Sequence, residues 1–446
     1  MARKRVDRRT FVTDSTRAGL AFTIVPRHVL GRGYRAPSDT LNVACVGVGG
    51  MGWSDVRGMA VENIYALCDV DEKQGDEAFT TYTKAKRYKD FRVMLEKDGD
   101  NIDAVTVTTP DHSHAVIAAQ VLKMKKPVYV QKPLTRTLYE VKALVEAARR
   151  AGVATQMGNQ GHVREGTRRI REWVEAGAIG TVREVHFWTN RPIWPQGLDR
   201  PLQDYHVPPW MDWDLWLGPA AERPYHPSYA PFSWRGWWDF GTGALGDMAC
   251  HIMDAAFWTL DLRGPNRIEV EHTPLYQETA PKGCRIVYHF PARGSRGPVT
   301  VVWRDGALFP PRPPEVADDA DWPPEDGGGQ LWIGSDGKLV AGTYGDDPRL
   351  LDEKRHQEIT ASPPAQTYPR TEGVYADWIA ACKGGPAAGS NFADHAGPLT
   401  EMVLLGNLAV RAGRTLELNP ETGQVTNVTI PEEWTKPVYR TGWLLE

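Results

Sequence analysis

The chain has 446 residues, enough for about two to three domains that each bury a core of their own. Its formal charge of −4 gives no reason to expect a nucleic-acid partner, and no apolar run approaches the roughly 20 residues needed to span a bilayer. The 5 cysteines are scattered and include no Cys-x-x-Cys pair, so neither a disulfide framework nor a zinc site is indicated.

The first segment of the chain is basic. Residues 1–36 carry nine Lys or Arg against two Asp or Glu, and Arg8 and Arg9 precede a weakly apolar stretch at 18–25. Twin arginines before an apolar stretch are typical of a Tat export signal, although Arg17 interrupts the apolar region. We predict residues 1–38 to be a Tat-like leader or a basic arm. The first alternative places the protein in the periplasm, and the second in the cytoplasm.

A strand that runs into a glycine-rich turn and then a helix is predicted over residues 41–58. The spacing is Gly-x-Gly-x-x-Gly, in which the glycines permit a tight turn, close approach to a pyrophosphate and close packing of helix on strand. Amides at the helix start would face the phosphates. The residues expected to bind a dinucleotide here are Gly47, Gly49, Gly50, Met51 and Gly52. A similar turn that binds nothing is the alternative.

Asp69 strengthens the dinucleotide interpretation. It ends the next apolar run, 17 positions after Gly52. A carboxylate at this place can accept hydrogen bonds from both hydroxyls of the adenosine ribose, and it would repel a ribose phosphate. The sequence therefore favours NAD over NADP as cofactor.

Strand and helix patterns then alternate as far as residue 157, which predicts a doubly wound parallel sheet. Ligands of such sheets lie beyond the carboxyl ends of the strands. We therefore define residues 39–160 as a Rossmann domain and expect its strand-end residues to meet in one crevice. Besides Asp69, these are Thr109, Pro110, His112, His114, Lys132 and Asn159.

The second half of the chain has strand patterns that follow one another with few helices between them. Strands are predicted over residues 182–189, 268–271, 285–290, 299–303 and 330–333. Helices are predicted over 164–175, 247–260, 373–382 and 398–411. Successive strands of this kind favour an open, mostly antiparallel sheet. Residues 161–446 are therefore predicted to form an α/β domain that carries the substrate-binding side of the site.

Two groups could carry catalysis. Asp247 and His251 lie four residues apart on one face of a predicted helix, where a carboxylate could raise the basicity of the imidazole and fix its tautomer. A purely structural histidine is the alternative, and no third ligand supports a metal site. Lys132 is held by the following proline near the expected nicotinamide, where its ammonium could stabilise an alkoxide. A surface lysine lying over the sheet edge is the alternative there.

The stretch between these groups is rich in tryptophan, arginine and asparagine. Flat aromatic faces suit the C–H faces of a pyranose, and the interleaved polar groups suit its hydroxyls. Most tryptophans are nevertheless expected in the core or in a subunit interface. The candidate substrate-binding residues are Arg191, Trp194, Trp234, Trp238, Asp247 and His251.

Taken together and in this order, these motifs resemble the glucose–fructose oxidoreductase and inositol dehydrogenase (Gfo/Idh/MocA) family. The motifs are Gly47-x-Gly49-x-x-Gly52, Asp69, Thr109-Pro110-Asp111-His112-x-His114, Lys132-Pro133 and Gly246-Asp247-x-x-x-His251-x-x-Asp254. One departure is Gln131, which stands where the family usually has Glu before Lys-Pro.

The resemblance implies a Rossmann domain followed by an α/β domain with an open, largely antiparallel sheet, and a dimer or tetramer built through that sheet. It also implies hydride transfer from a sugar, glycoside or polyol carbinol to NAD. In that mechanism His251 takes the hydroxyl proton, Asp247 orients His251, and Lys132 stabilises the oxyanion.

Three functions stay open at this point. The first is a net NAD-dependent sugar or polyol dehydrogenase. The second is a redox-neutral glycosidase or epimerase that oxidises the sugar transiently and returns the hydride. The third is a nucleotide-sensing or scaffold protein on a Rossmann frame, which the combination of Lys132, Asp247 and His251 argues against.

Overall fold

The computed structural model describes residues 39–323 and 327–445. The predicted leader at 1–38, with Arg8 and Arg9, lies outside these residues. Among the helices that are described, none combines the length and apolar character required to cross a membrane.

The first sheet has six strands in the order β3-β2-β1-β4-β5-β6, and every neighbouring pair is parallel. Its strands are β1 (Asn42–Val46), β2 (Asn63–Cys68), β3 (Lys86–Tyr88), β4 (Ala104–Val107), β5 (Val128–Val130) and β6 (Thr155–Met157). The helices between them are α1 (Met51–Gly58), α2 (Glu72–Thr81), α3 (Phe91–Asp98), α4 (Asp111–Lys123) and α5 (Leu138–Ala151). This strand order is that of a dinucleotide-binding Rossmann sheet.

Local sequence explains where these elements begin and end. The central strands β4 and β5 are buried along their whole length, as expected for a parallel sheet covered on both faces. Helix α5 starts with a capping box, in which Thr137 and Glu140 satisfy each other's backbone amides. It ends at Gly152, whose φ of 63° suits a left-handed cap.

The second sheet has eight strands in the order β13-β12-β11-β7-β10-β9-β8-β14. They are β7 (Val182–Thr189), β8 (Arg267–His272), β9 (Cys284–Phe290), β10 (Val299–Arg304), β11 (Gly328–Gly334), β12 (Lys338–Gly342), β13 (Arg349–Leu350) and β14 (Leu416–Glu417). The pair β7 and β10 is parallel, and the other pairs are antiparallel. The predicted fold class, a parallel Rossmann sheet plus a mostly antiparallel second sheet, is confirmed.

The helices of the second half complete the fold. They are α6 (Glu165–Glu175), α7 (Trp213–Leu217), α8 (Gly243–Ile252), α9 (Asp254–Leu260), α10 (Glu353–Ala361), α11 (Val374–Cys382), α12 (Gly397–Ala412) and α13 (Glu432–Thr435). Helix α12 is almost entirely buried and packs against both α5 of the Rossmann half and α8 of the second half. It therefore fixes α8, which carries the predicted Asp247 and His251, relative to the parallel sheet.

Candidate active site

A cleft of about 840 Å³ lies beyond the carboxyl ends of the parallel strands, and residues of the second half form its other wall. Of the residues predicted for the cofactor, those that line it are Gly47, Gly49, Gly50, Met51, Asp69, Thr109, Pro110 and Lys132. Of those predicted for catalysis and substrate, Arg191, Trp194, Trp234, Asp247 and His251 also line it. Most of the predicted site therefore converges on one cleft.

The glycine turn has the shape that a pyrophosphate requires. A Cβ on Gly49 would lie 2.6 Å from the carbonyl oxygen of Gln74, and one on Gly52 would lie 2.1 Å from the carbonyl oxygen of Gly47. At Gly50 a Cβ would meet nothing within 4 Å, so this residue opens to the cleft. Helix α1 has no side-chain cap at its N-terminus, which leaves amides for a bound anion. The turn thus fits the diphosphate of a dinucleotide.

Asp69 is positioned by the backbone around it. Its Oδ2 accepts a hydrogen bond from the Val48 amide at 2.8 Å, and its Oδ1 accepts one from the Asp71 amide at 2.9 Å. Burial raises the pKa of Asp69 to about 6, against the opposing effect of these amides. Each carboxylate oxygen keeps a second lone pair, so the group can still accept hydrogen bonds from ribose hydroxyls.

Besides Gly52, which is buried in the turn, three predicted cofactor residues do not line the cleft. His112 Nε2 lies 3.0 Å from the carbonyl oxygen of Trp216, and both ring nitrogens of His114 lie within 2.9 Å of backbone carbonyls. The Asn159 amide donates to Asp254 Oδ2 at 3.1 Å. Direct contact with the cofactor is therefore not supported for these side chains, because their polar groups hold neighbouring segments together inside the protein.

Lys132 and Asp247 form the centre of the site. The Lys132 ammonium donates to Asp247 Oδ1 at 2.8 Å and to the Asp247 carbonyl oxygen at 2.7 Å. Arg235 Nε donates to the same Oδ1 at 3.1 Å, and Arg191 Nε lies 3.9 Å from Oδ2. Although burial opposes ionisation, Lys132 and Arg235 hold the pKa of Asp247 well below its usual range. One carboxylate thus faces three cations.

The pKa of His251 is shifted in the opposite direction to the one expected from the sequence. Burial, followed by the positive charge of Lys132, lowers the pKa of His251 to about 3 rather than raising it. Its Nδ1 is buried without a hydrogen-bond partner among the described residues. No described hydrogen bond joins it to Asp247, whose oxygens are engaged by Lys132 and Arg235. The imidazole is therefore neutral, and Asp247 is a counter-ion for cations rather than a direct orienting partner.

The departure at Gln131 leaves the lysine in place. Gln131 is buried, and its amide donates to both carboxylate oxygens of Asp55 at 3.1 and 3.0 Å. Thr108 and Tyr375 donate to the same carboxylate. A glutamate at residue 131 would instead bring two acidic groups together, so the glutamine suits this buried aspartate.

The tryptophan-rich stretch has two roles. Trp194 and Trp234 line the cleft beside Arg235, whose guanidinium lies 4.2 Å from the centre of the Trp234 ring. Trp238 lies elsewhere, with its ring 5.3 Å from the Arg411 guanidinium, so substrate contact is not supported for it. Other aromatics form a buried cluster centred on α7, where the Trp213 and Trp216 rings stack at 4.8 Å. That cluster supports the wall of the cleft.

The structure adds cleft residues that sequence patterns did not identify. Tyr344 packs its ring 5.0 Å from that of His251, and Asp111 accepts a hydrogen bond from the Thr242 hydroxyl at 2.7 Å. Burial raises the pKa of Asp111 to about 7. Trp443 reaches the cleft from the far end of the chain. Only Asp111 stood within a recognised motif.

A second buried cluster lies one helical turn beyond His251. Asp254 accepts hydrogen bonds from Asn159, from His162 Nδ1 and from His395 Nε2. The ligand atoms of His162, Asp254 and His395 lie within 4.8 Å of one another. Burial disfavours the ionised form of Asp254, but the two imidazoles outweigh this effect and hold the pKa of Asp254 well below its usual range. These contacts tie α9 to the segments that follow β6 and precede α12.

These features define a dinucleotide-binding protein with a second domain across the cleft. They are a Rossmann sheet, a phosphate-binding turn, a carboxylate placed for the ribose and an ammonium at a strand end. Residues 41–159 match the profile of an oxidoreductase family with an NAD-binding Rossmann fold, and residues 168–296 match the α/β C-terminal domain of the same family. The chain belongs to this Gfo/Idh/MocA oxidoreductase family, and its cofactor is NAD.

Individual relatives share only low sequence identity with this chain. The chain is similar to myo-inositol 2-dehydrogenase of Thermotoga maritima, at 26% identity over 35% of this chain and 47% of the relative. It is also similar to levoglucosan dehydrogenase of Pseudarthrobacter phenanthrenivorans, at 24% identity over 49% of this chain and 50% of the relative. The chain thus spans about half the length of the curated relatives it matches.

Solved structures share the fold over a longer range. The WlbA dehydrogenase of Bordetella pertussis, solved with NADH and UDP-GlcNAcA, has a TM-score of 0.59 to this chain at 16% identity. The similarity covers 85% of this chain and 99% of the WlbA chain.

Proposed function

We propose that the protein is an NAD-dependent dehydrogenase that oxidises a carbinol of a sugar, glycoside or polyol. The observation that carries this proposal is the Lys132–Asp247 ion pair at 2.8 Å, which lies in the same cleft as the glycine turn and His251. The resemblance to inositol and levoglucosan dehydrogenases supports the substrate class.

NAD+, when bound, accepts the hydride that leaves the carbinol carbon. The Lys132 ammonium is placed to donate a hydrogen bond to the carbinol oxygen and to stabilise its negative charge as the C–H bond breaks. His251 is neutral near pH 7 and can take the hydroxyl proton. Because burial and Lys132 disfavour the charged imidazole, His251 would pass that proton on to solvent rather than keep it.

Single substitutions test these roles. We expect Lys132→Met and His251→Ala each to lower kcat by about a hundredfold to ten-thousandfold, the range for a positioned acid, base or oxyanion donor. Neither side chain forms the phosphate- or ribose-binding part of the cleft, so the Kd for NADH should change little. Calorimetric titration with NADH alongside turnover assays separates the two effects. Loss of NADH binding in either variant would show that the roles are misassigned.

One wall of the cleft favours a second function. It lies beyond the end of β2, where the adenosine of the dinucleotide is expected. The Asp212 amide donates to the Val70 carbonyl oxygen at 2.8 Å, and the Glu72 amide donates to the Trp210 carbonyl oxygen at 2.9 Å. Segments of the second half are thereby fastened across the end of β2. If these segments slow the release of a bound dinucleotide, the cleft suits a reaction that returns its hydride within one substrate visit.

That second function is a redox-neutral glycosidase or epimerase. Oxidation at one carbinol acidifies the neighbouring C–H, which allows elimination of the glycosidic oxygen, addition of water and return of the hydride to the ketone. Incubation with a panel of sugars and glycosides, with nicotinamide absorbance and released sugar recorded together, distinguishes the functions. Stoichiometric NADH supports the dehydrogenase, and cleavage without net NADH supports the redox-neutral enzyme. The absence of both would refute each of them.

A further inference from the structure

The substrate side of the cleft carries more positive charge than its own acids can balance. Lys132, Arg191 and Arg235 all approach the single carboxylate of Asp247, at 2.8, 3.9 and 3.1 Å. Among the described residues on this side of the cleft, Asp111 is the other acidic group, and burial raises its pKa to about 7. Arg164 also lines the cleft, but it is paired with Asp346 at 2.7 Å. The remaining cations therefore outnumber the carboxylates by one when Asp111 is ionised and by two when it is protonated.

The two arginines keep hydrogen-bonding capacity for a ligand. Arg235 uses its Nε on Asp247, and among the described residues its two terminal amino groups have no acceptor. Arg191 directs one terminal amino group to Asn190 Oδ1 at 2.7 Å. Both arginines line the cleft, and their side chains are 24% and 29% exposed, so the remaining donors are accessible to a ligand there. A guanidinium has five donors in a planar fork that matches a carboxylate.

Both guanidinium groups are also held in place before any ligand binds. Arg235 lies over the Trp234 ring at 4.2 Å, and the Phe232 and Trp194 rings lie within 5.8 Å of it. The Arg191 guanidinium is held by its hydrogen bond to Asn190 Oδ1, and the Arg191 backbone is fixed because its carbonyl oxygen accepts a hydrogen bond from the Gly306 amide at 2.7 Å. Ordered donors bind an anion with little loss of side-chain entropy.

We propose that Arg191 and Arg235 form a carboxylate-binding subsite, so that the substrate is an acidic sugar such as a uronic or aldonic acid or its glycoside. This inference rests on the proposed function and specifies its substrate class. When Asp111 is ionised, the excess is one positive charge, which matches a monoanion better than a doubly charged phosphate. Phosphates are also commonly bound by backbone amides and helix N-termini, and those groups lie at the glycine turn instead.

The test compares substrates that differ only in charge. Glucose and glucuronate, and methyl glucoside and methyl glucuronide, are assayed with the full-length protein saturated with NAD+, and glucose 6-phosphate is added as a further anion. We expect kcat/KM for the uronates to exceed that of their neutral partners by about tenfold to a hundredfold, as for one or two charge-assisted hydrogen bonds. Equal or higher kcat/KM for the neutral sugars, or for the phosphate, would overturn the proposal.

Variants show whether the arginines cause the preference. Arg235→Met and Arg191→Met should remove most of the preference for uronates, and Arg235→Lys should retain part of it because it keeps the charge without the fork. Arg149→Met, an exposed position on α5, serves as the control and should leave the preference unchanged. An equal loss for neutral and acidic substrates in the arginine variants would assign these residues a structural role and refute the subsite.

Binding measurements separate this proposal from the function on which it rests. Glucuronate and glucose are titrated into the NADH-loaded protein by calorimetry. Selective glucuronate binding that Arg235→Lys weakens, without turnover of any sugar, would support the subsite and refute the dehydrogenase. Turnover of neutral sugars together with an absence of glucuronate binding would support the dehydrogenase and refute the subsite.

Discussion

Removing the charge of Asp247 should destabilise the protein more than removing the charge of its lysine partner. Asp247→Asn keeps the shape of the side chain but leaves Lys132, Arg235 and Arg191 facing one another with their shared carboxylate gone. In Lys132→Met, the Asp247 carboxylate is still paired with both arginines. The asymmetry follows from the arrangement of one anion among three cations.

The expected losses of stability follow from the burial of the Lys132 and Asp247 side chains. The side chains of Lys132 and Asp247 are 13% and 10% exposed, so the pair is only weakly screened by solvent. Leaving buried charges without their partner costs about 3–5 kcal/mol, which is the expected loss for Asp247→Asn. Loss of one charge-assisted contact costs about 1.5–3 kcal/mol, which is the expected loss for Lys132→Met. The double variant should lose less than the sum, because it removes a cation and the anion together.

Urea unfolding followed by tryptophan fluorescence and circular dichroism measures these differences, with refolding checked for each variant. Asp76→Asn, an exposed position on α2, is the matched control and should change the free energy of unfolding by at most about 0.5 kcal/mol. An Asp247→Asn variant no less stable than Lys132→Met would refute the reasoning, as would strict additivity in the double variant. Either result would mean that the three cations do not depend on this carboxylate.

Four further predictions concern the cofactor and the leader. Asp69→Asn should weaken NADH binding by about tenfold to a hundredfold. In the unsubstituted protein NADH should bind more weakly as the pH falls through about 6, because the ribose hydroxyls favour the ionised carboxylate; a flat calorimetric profile from pH 5 to 8 would contradict this. Gly52→Ala should lower the melting temperature and abolish NADH binding, since its Cβ would lie 2.1 Å from a carbonyl oxygen of the same turn; unchanged binding would contradict it. Replacing Arg8 and Arg9 by lysine should keep a fused reporter in the cytoplasm if residues 1–38 are a Tat signal, and export of that variant would favour the basic-arm alternative.

The sequence predicted the sheets well because their strands carry strong local signals. The strand at Val182–Thr189 was predicted to the residue, and the strand predicted over 299–303 lies within one residue of Val299–Arg304 at each end. Four strands were not predicted because they are short and owe their formation to pairing with neighbours, namely Lys86–Tyr88, Lys338–Gly342, Arg349–Leu350 and Leu416–Glu417. Helix α4 begins at Asp111, directly after Pro110, so the proline marks the start of the helix.

The site was predicted less completely, for a geometric reason. Position at the end of a parallel strand determines where the backbone lies, but it does not determine where the side chain points. Lys132 turns into the cleft, whereas His114 and Asn159 turn into the protein and hydrogen-bond there. The contact between Arg235 and Asp247, 12 residues apart, depends on the short helix Ser233–Gly236, which no sequence periodicity indicated.

The charge of Lys132 explains how a weak base can serve in this cleft. A histidine with a pKa near 3 is a poor acceptor for the proton of an ordinary alcohol. Lys132, however, stabilises an alkoxide beside it and so lowers the pKa of a bound hydroxyl, each unit being worth about 1.4 kcal/mol. The proton then need only be transferred as the hydride leaves, and the ketone that forms carries no charge to neutralise. The Lys132 ammonium would thus reduce the basicity that His251 must supply, while the two arginines hold the substrate carboxylate.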